Sequence, residues 1–293
     1  MFARLEEALT SLRMQSMTMR KVSIKLAVSV LALLATLFAT QGAATALTSP
    51  AVSPVSYIPI AAGTLVTVLS GDGDKEAIRL APFAMRETPV SNRELQGFLS
   101  LHPEWQRDRV PATFADASYL HHWASALDPG IDNLPDQPAT SVSWFAAQAF
   151  CESEQARLPT WYEWEYVAAA DATHNDARKD PAWRSHILAW YAQASTVPPH
   201  SVGGNANVYG VRDMHGLIWE WVDDFNALLV SADSRTQGDP DQLQFCGAGA
   251  ISLQDRENYA VLMRIALLSS LAGADTTNNL GWRCVRPSTK ESK

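Results

Sequence analysis

The stretch RLPTWYEWEYVAAA, residues 157–170, reads as a helix with a defined start. Thr160 stands three residues before Glu163, the spacing of a capping box. In that motif the threonine oxygen accepts from the Glu163 backbone N–H, and the glutamate returns a bond to the backbone N–H of the cap. Behind the cap, Trp164, Val167 and Ala168 recur at helical spacing and form one apolar stripe. A helix that begins this sharply must lay that stripe on a partner.

Upstream, SVSWFAAQAFCESEQA (141–156) predicts a second helix, capped by Ser143, with Trp144, Ala147 and Cys151 on one face. SNREL (91–95) opens a third, with Ser91 and Glu94 as another capping box. AAGTLVTVLS (61–70) alternates and is rich in β-branched residues, hence a strand; GDGDK (71–75) is a turn. EAIRLAPFAMRETPVS (76–91) reads as one further strand ended by Pro89. Residues 103–142 have no sustained period and many Pro, Asp and His, so long loops are expected there, of the kind that usually serve function.

Downstream of 171 the chain reads as irregular and Pro-rich to about 207. NVYGVRDMHGLIWEWVDDF (207–225) has strand-like ends around Gly210 and Gly216. In ENYAVLMRIALLSSLAG (257–273), Leu262, Ile265, Ala266 and Ser269 fall on a helical period, although β-branched neighbours keep a strand open. LGWRCVRP (280–287) is a closing strand. There is no internal repeat. Few helices, short strands and much irregular chain give an α+β class, loop-rich and in a single domain.

The N-terminus sets the expected compartment. Arg20, Lys21 and Lys25 precede an uncharged apolar run from Leu26 to Ala39, and Ala44-Thr45-Ala46 is a small-x-small cleavage site. This is the layout of a secretory signal peptide, and the run is shorter than the roughly 20 residues that span a bilayer. Residues 1–46 are therefore expected to be a signal peptide with an upstream extension, Met17 or Met19 being alternative starts. Residues 47–57 are a linker and 288–293 a tail. The expected location is periplasmic or secreted, with no membrane contact after cleavage. Removing residues 1–46 takes five Lys/Arg from 23 and two Asp/Glu from 31, leaving 18 basic against 29 acidic residues. That balance argues against nucleic acid as a partner, since phosphate binding needs a positive surface.

An exported chain is expected to pair its cysteines. There are three, Cys151, Cys246 and Cys284, with no CxxC, so one is left over and spacing alone does not choose the pair. All ten tryptophans lie beyond residue 46, most of them suited to core and rim packing. Trp219 and Trp221 are expected as core and cleft wall, and Arg283 as the partner of a buried carboxylate. The adjacent His121 and His122 would point to opposite sides of a strand. His121 with a distant partner such as His215 is therefore the arrangement considered for a metal.

Four segments, SVSWFAAQAFC, RLPTWYEWEYVAAA, YGVRDMHGLIWEWVDDF and NNLGWRCVR, occur in this order and at this spacing. Together they resemble the sulfatase-modifying-factor family, the formylglycine-generating enzymes, over roughly residues 58–287. The segment NRELQGFLSLHPEWQRDRVPATFADASYLHHW resembles the exported branch, with pyoverdine-maturation proteins and proteins encoded beside copper nitrite reductases. The resemblance implies a partly C-type-lectin-like fold with little regular secondary structure, held by calcium and disulfides. It implies a disulfide between the helix before RLPT and the closing strand, positions held here by Cys151 and Cys284.

Family enzymes oxidise a substrate cysteine to formylglycine with molecular oxygen, using two cysteines that bind copper(I), a soft ion suited to thiolates. By that resemblance Ser252 falls near the first catalytic position and Arg256 or Glu257 near the second, and neither is a cysteine. Cys246 lies about six residues too early and is expected to be a free, inert thiol. Ser252, Arg256, Glu257 and Tyr259 become the candidates for substrate contact or acid–base work. The resemblance also implies calcium at the segment holding Glu220, Asp223 and Asp224, through backbone carbonyls and an acidic side chain. Leu217 stands where the family has asparagine.

The function these readings imply is oxidative maturation of a peptide, protein or siderophore precursor without the two-cysteine copper site. The alternative is a non-catalytic binding or assembly module for an exported copper enzyme. The residues do not choose between copper and iron. The family's sulfoxide synthases need an additional helical domain with a three-histidine iron site, for which this chain has no room.

Overall fold

The computed structural model describes residues 55–66, 77–192, 199–226 and 259–288. All belong to one unit that starts at Val55. Its strands are β1 (Tyr57–Ile60), β2 (Gly63–Val66), β3 (Ala77–Leu80), β4 (Phe83–Arg86), β5 (Trp219–Glu220), β6 (Leu280–Gly281) and β7 (Val285–Pro287). Its α-helices are α1 (Asn92–Leu101), α2 (Trp144–Ser153), α3 (Trp161–Ala168), α4 (Pro181–Tyr191) and α5 (Tyr259–Ser269). The architecture is the mixed, loop-rich α+β one expected. None of the described helices is long and apolar enough to cross a membrane.

The sheets are small. β4 is the centre of an antiparallel sheet with β1 on one side and β7 on the other; Met85 faces Ile58 in one register and Val285 in the other. The segment read as one strand over 76–91 is two. Ala81-Pro82 breaks it, and β3 turns away to pair with β2. Proline has no N–H to give a ladder, so the break falls where the sequence removes a donor. The closing segment also divides: β6 runs parallel to β5, while β7 joins β4.

The helix starts are as expected. Thr160 Oγ1 accepts from Glu163 N at 3.3 Å, and Glu163 Oε2 accepts from Thr160 N at 2.9 Å. The box at Ser91 and Glu94 is also complete, and Ser143 caps α2 through Ala146 N. On α2 the buried face is Ala146, Ala147, Phe150 and Cys151, with Trp144 only half-buried. On α5 the helical alternative holds, but the buried face is Val261, Arg264, Ile265 and Leu268 rather than one containing Ala266, which is exposed.

Helix α4 is a correction to the irregular reading of 171–207. Asp180 caps it by accepting from Ala182 N, and Pro181 occupies the first turn, where no N–H is missed. Only Ile187 is buried along it, so no apolar stripe marks it in the sequence. The long loop 103–142 holds one 3-10 turn, Pro103–Trp105, and is tied down by its own core residues Tyr119, Leu120 and Trp123. Cys151 and Cys284 form a disulfide across 133 positions, joining α2 to the residue before β7.

Candidate functional site

The capping box fixes where α3 begins, and so which way its side chains point. Trp161 and Trp164 face a cleft whose other walls are Met214, Ile218 and Trp219 beside β5, Trp190 of α4, and Arg264 and Leu268 of α5. The room left free between these walls is small, about that of one water molecule. Trp219 is stacked by Tyr191 at 4.5 Å between ring centroids and flanked by Trp190 at 5.3 Å, so one wall is a rigid aromatic plate. Trp221, two residues on, is fully buried and donates from Nε1 to Val142 O at 2.9 Å. The division into core and cleft wall is thus the reverse of the expected order: Trp219 is the wall and Trp221 the core residue.

Arg264 is the cationic side chain of this cleft. Its guanidinium lies 4.9 Å from the Trp164 ring centroid and 5.9 Å from that of Trp161. Nη2 donates to Glu165 Oε2 and Nη1 to the Tyr191 hydroxyl, while Nε has no partner among the described residues. Burial opposes the charge on Arg264, but the Glu165 carboxylate and Tyr191 outweigh it, and its pKa is raised above the ordinary arginine value. Burial likewise raises the Tyr191 phenol, which stays protonated at neutral pH. Arg264, Glu165, Tyr191 and Trp190 are absent from the sequence reading. An arginine inside VLMRIALL was the available signal, since a charge on an otherwise apolar helix needs a buried partner.

The neighbouring charge pair belongs to the frame. Arg283 clasps Glu220 with two bonds of 2.7 Å, both side chains at 0 % exposure, and Trp164 Nε1 donates to the same carboxylate at 2.8 Å. The buried-carboxylate partner expected for Arg283 is thus Glu220. Both Glu220 oxygens, the acidic side chain considered for calcium, accept from protein donors. Asp224 accepts from Trp161 N at 2.7 Å and so serves the first turn of α3, Asp223 is exposed, and the Leu217 side chain is buried. The three carboxylates do not converge.

The histidines do not converge on a metal either. His215 packs edge-on against Trp164 and Trp183, and its Nε2 lies 2.7 Å from Ala168 O. Burial, then the Arg264 charge, pushes its pKa down to about 3, so the ring is neutral. Nε2 carries the proton given to Ala168, and Nδ1 is buried without a partner among the described residues. His121 is exposed on the long loop. Among the described residues no group of three or more His, Cys, Asp or Glu is placed to hold a metal ion. Tyr259 is exposed at the first position of α5; Ser252, Arg256, Glu257 and Cys246 lie outside the described residues.

The disulfide decides the fit of the copper(I) site. Two of the chain's three cysteines are joined to each other, so Cys246 is the one thiol left, and a site built from two thiolates has no donor set here.

A sequence model described as the sulfatase-modifying factor enzyme 1-like domain matches residues 43–288. The chain belongs to this family. Its relatives include a formylglycine-generating enzyme of Streptomyces coelicolor, 27 % identical over 260 residues, covering 73 % of this chain and 81 % of that protein. They also include a hercynine oxygenase of Mycobacterium tuberculosis, 26 % identical over 170 residues, covering 52 % of this chain and 40 % of that protein. Among solved structures of related shape is PvdO from Pseudomonas aeruginosa, 18 % identical with a TM-score of 0.43, covering 79 % of this chain and 94 % of that one. The family thus includes proteins named as oxidative enzymes.

Proposed function

We propose that this protein is an exported maturation factor that takes a peptide, protein or siderophore-precursor substrate into the cleft between α3, β5 and α5. It acts there oxidatively without a two-cysteine copper site. The observation that carries the reading is Arg264: a buried cation, held by Glu165 and Tyr191, set among the tryptophans of the cleft. Trp219 and Trp190 supply a flat apolar surface, and the fixed guanidinium orients what lies on it. Held so, it needs little reorganisation when a substrate arrives. Relatives named as formylglycine-generating enzyme and hercynine oxygenase support an oxidative role. The acidic balance after residue 46 and the signal-like N-terminus support export and a non-nucleic-acid partner.

The cysteine count favours a second reading, a non-catalytic binding or assembly module. The two are separated by oxygen uptake and product mass. The purified protein is supplied in turn with copper, iron and calcium and with a thiol peptide or a siderophore-precursor peptide, with thiol titration alongside. Oxygen consumption that disappears in Trp219→Ala supports the enzyme. Saturable binding of the same peptides, with unchanged mass and no oxygen uptake under any metal, supports the module and overturns oxidation.

A further inference from the structure

We infer that the turn at Ile131 is a docking surface for another protein, one whose contact face is apolar and bordered by Lys and Arg. Ile131 is 91 % exposed, Leu134 is 53 % exposed, and Leu127 of the same loop is exposed too. Single apolar side chains on a surface are ordinary, but three large ones in one short loop call for a cover. The loop is also braced. Asn133 N donates to Gly130 O, so Ile131 and Asp132 stand at the tip of a turn that Gly130 enters at φ +81°. Asn133 Nδ2 donates to Pro129 O at 2.8 Å and to His122 O at 3.1 Å, which closes the base of the turn. Both flanks are tied to α1: Asn92 Nδ2 donates to Leu134 O at 3.0 Å and Gln96 Nε2 to Leu127 O at 2.8 Å. Positions 92 and 96 are one helical turn apart, so the two leucines are anchored close together with Ile131 between them in the chain. A tip held this way needs little ordering when a partner arrives, and that favours binding.

The charges decide which partner fits. Asp128 and Asp132 flank Ile131, both are exposed, and neither forms an ion pair with a described residue; Asp128 gives only Oδ1 to Gly130 N. The cations that touch this part of the chain are engaged elsewhere. Arg93 lies 3.1 Å from Asp136, and Arg107 donates to the carbonyls of Leu120, Trp123 and Ala124. An apolar tip with an acidic rim is complementary to an apolar protein face with a basic rim. The same carboxylates repel anionic lipid headgroups and nucleic acid. A second copy of this chain is a poor match, because its own balance is acidic, 31 Asp/Glu against 23 Lys/Arg.

The test is made on the full protein in its host cells, with a photo-crosslinking side chain in place of Ile131 and, as a control, in place of Val66, which is exposed on β2. One protein is expected to crosslink from position 131 and not from 66, through a peptide that holds apolar residues together with Lys or Arg. That protein is then purified and titrated against wild type, Ile131→Ala and the double variant Asp128→Asn with Asp132→Asn. Ile131→Ala is expected to weaken binding about tenfold. The double variant keeps an oxygen for Gly130 N, and is expected to bind more weakly and to lose the salt dependence of the wild type. Both variants change exposed side chains, so their melting temperatures should match wild type and a loss of binding is not a loss of folding. A crosslink only to another copy of this chain, or only to lipid, overturns the assigned partner. A crosslinked peptide rich in Asp and Glu, or an affinity unchanged in the double variant, overturns the charge argument. No crosslink specific to 131, or an affinity unchanged in Ile131→Ala, overturns the docking surface. None of these results bears on the cleft, which Ile131 does not line.

Discussion

The Glu220→Gln exchange separates a frame residue from a calcium ligand. Glu220 accepts two bonds from Arg283 and one from Trp164, and neither charged side chain has any exposure. Glutamine keeps the shape and one oxygen, but leaves the Arg283 cation without a counter-charge. Arg283 also reaches the carbonyls of Arg212, at 3.0 Å, and Asp213, at 3.3 Å, but these dipoles do not replace a carboxylate. Removing one partner of a buried pair typically destabilises by about 3–5 kcal/mol. For a domain of this size each kcal/mol moves Tm by about 2–4 °C, so the variant should melt roughly 6–20 °C lower. The assay is calorimetric or circular-dichroism melting of wild type and variant, each in excess calcium and in chelator. The loss should be the same in both media, because the lost interaction is internal. A variant that melts within about 2 °C of wild type in chelator, and differs only when calcium is added, would refute this account of Glu220 and restore it as an ion ligand.

Further outcomes follow from other parts of the frame. The Cys151–Cys284 bridge closes a loop of 133 positions, so replacing both by serine should cost up to about 5 kcal/mol in denaturant melts by the chain-entropy relation. The native chain should then titrate as one thiol per molecule. His215 is neutral when folded, with a pKa of about 3 against 6.5 in the open chain. Because the unfolded state binds the extra proton between these values, stability is complete above pH 6.5 and falls as pH drops toward 3. From pH 6.5 to 4.5 the loss should be about 2–3 kcal/mol larger in wild type than in His215→Gln, which keeps an N–H for Ala168. Equal losses would remove His215 as the cause. Thr160→Ala should destabilise by about 1 kcal/mol without altering ligand binding at the cleft, since the cap sets the start of α3 rather than touching a ligand.

How much of this was legible in the residues differs from element to element, and for a physical reason. Capping boxes are local: Thr160 and Glu163, or Ser91 and Glu94, satisfy backbone groups within one turn, so the starts of α1 and α3 stand in the sequence itself. The four family segments also stand there, and with them the fold class and the cysteine pair. Helix α4 was not legible as a helix because it buries little, and burial is what writes a period into a sequence. The Ala81-Pro82 break was visible as a proline, but the separate partners of β3 and β4 were not, because strand pairing is made between distant residues.

The site shows the same division. The apolar walls could be anticipated from the density of tryptophan, but which tryptophans share a cleft depends on how β5 is set against α3 and α4. Glu220 and Arg264 are the clearest cases. The sequence by itself determined that a carboxylate lies beside Trp219 and that an arginine interrupts an apolar helix. Only the tertiary structure decided that Glu220 belongs to Arg283, 63 positions away, and Arg264 to Glu165, 99 positions away. Charge pairing in a core is chosen by which groups are left without water when the elements dock, and no spacing along the chain records that choice.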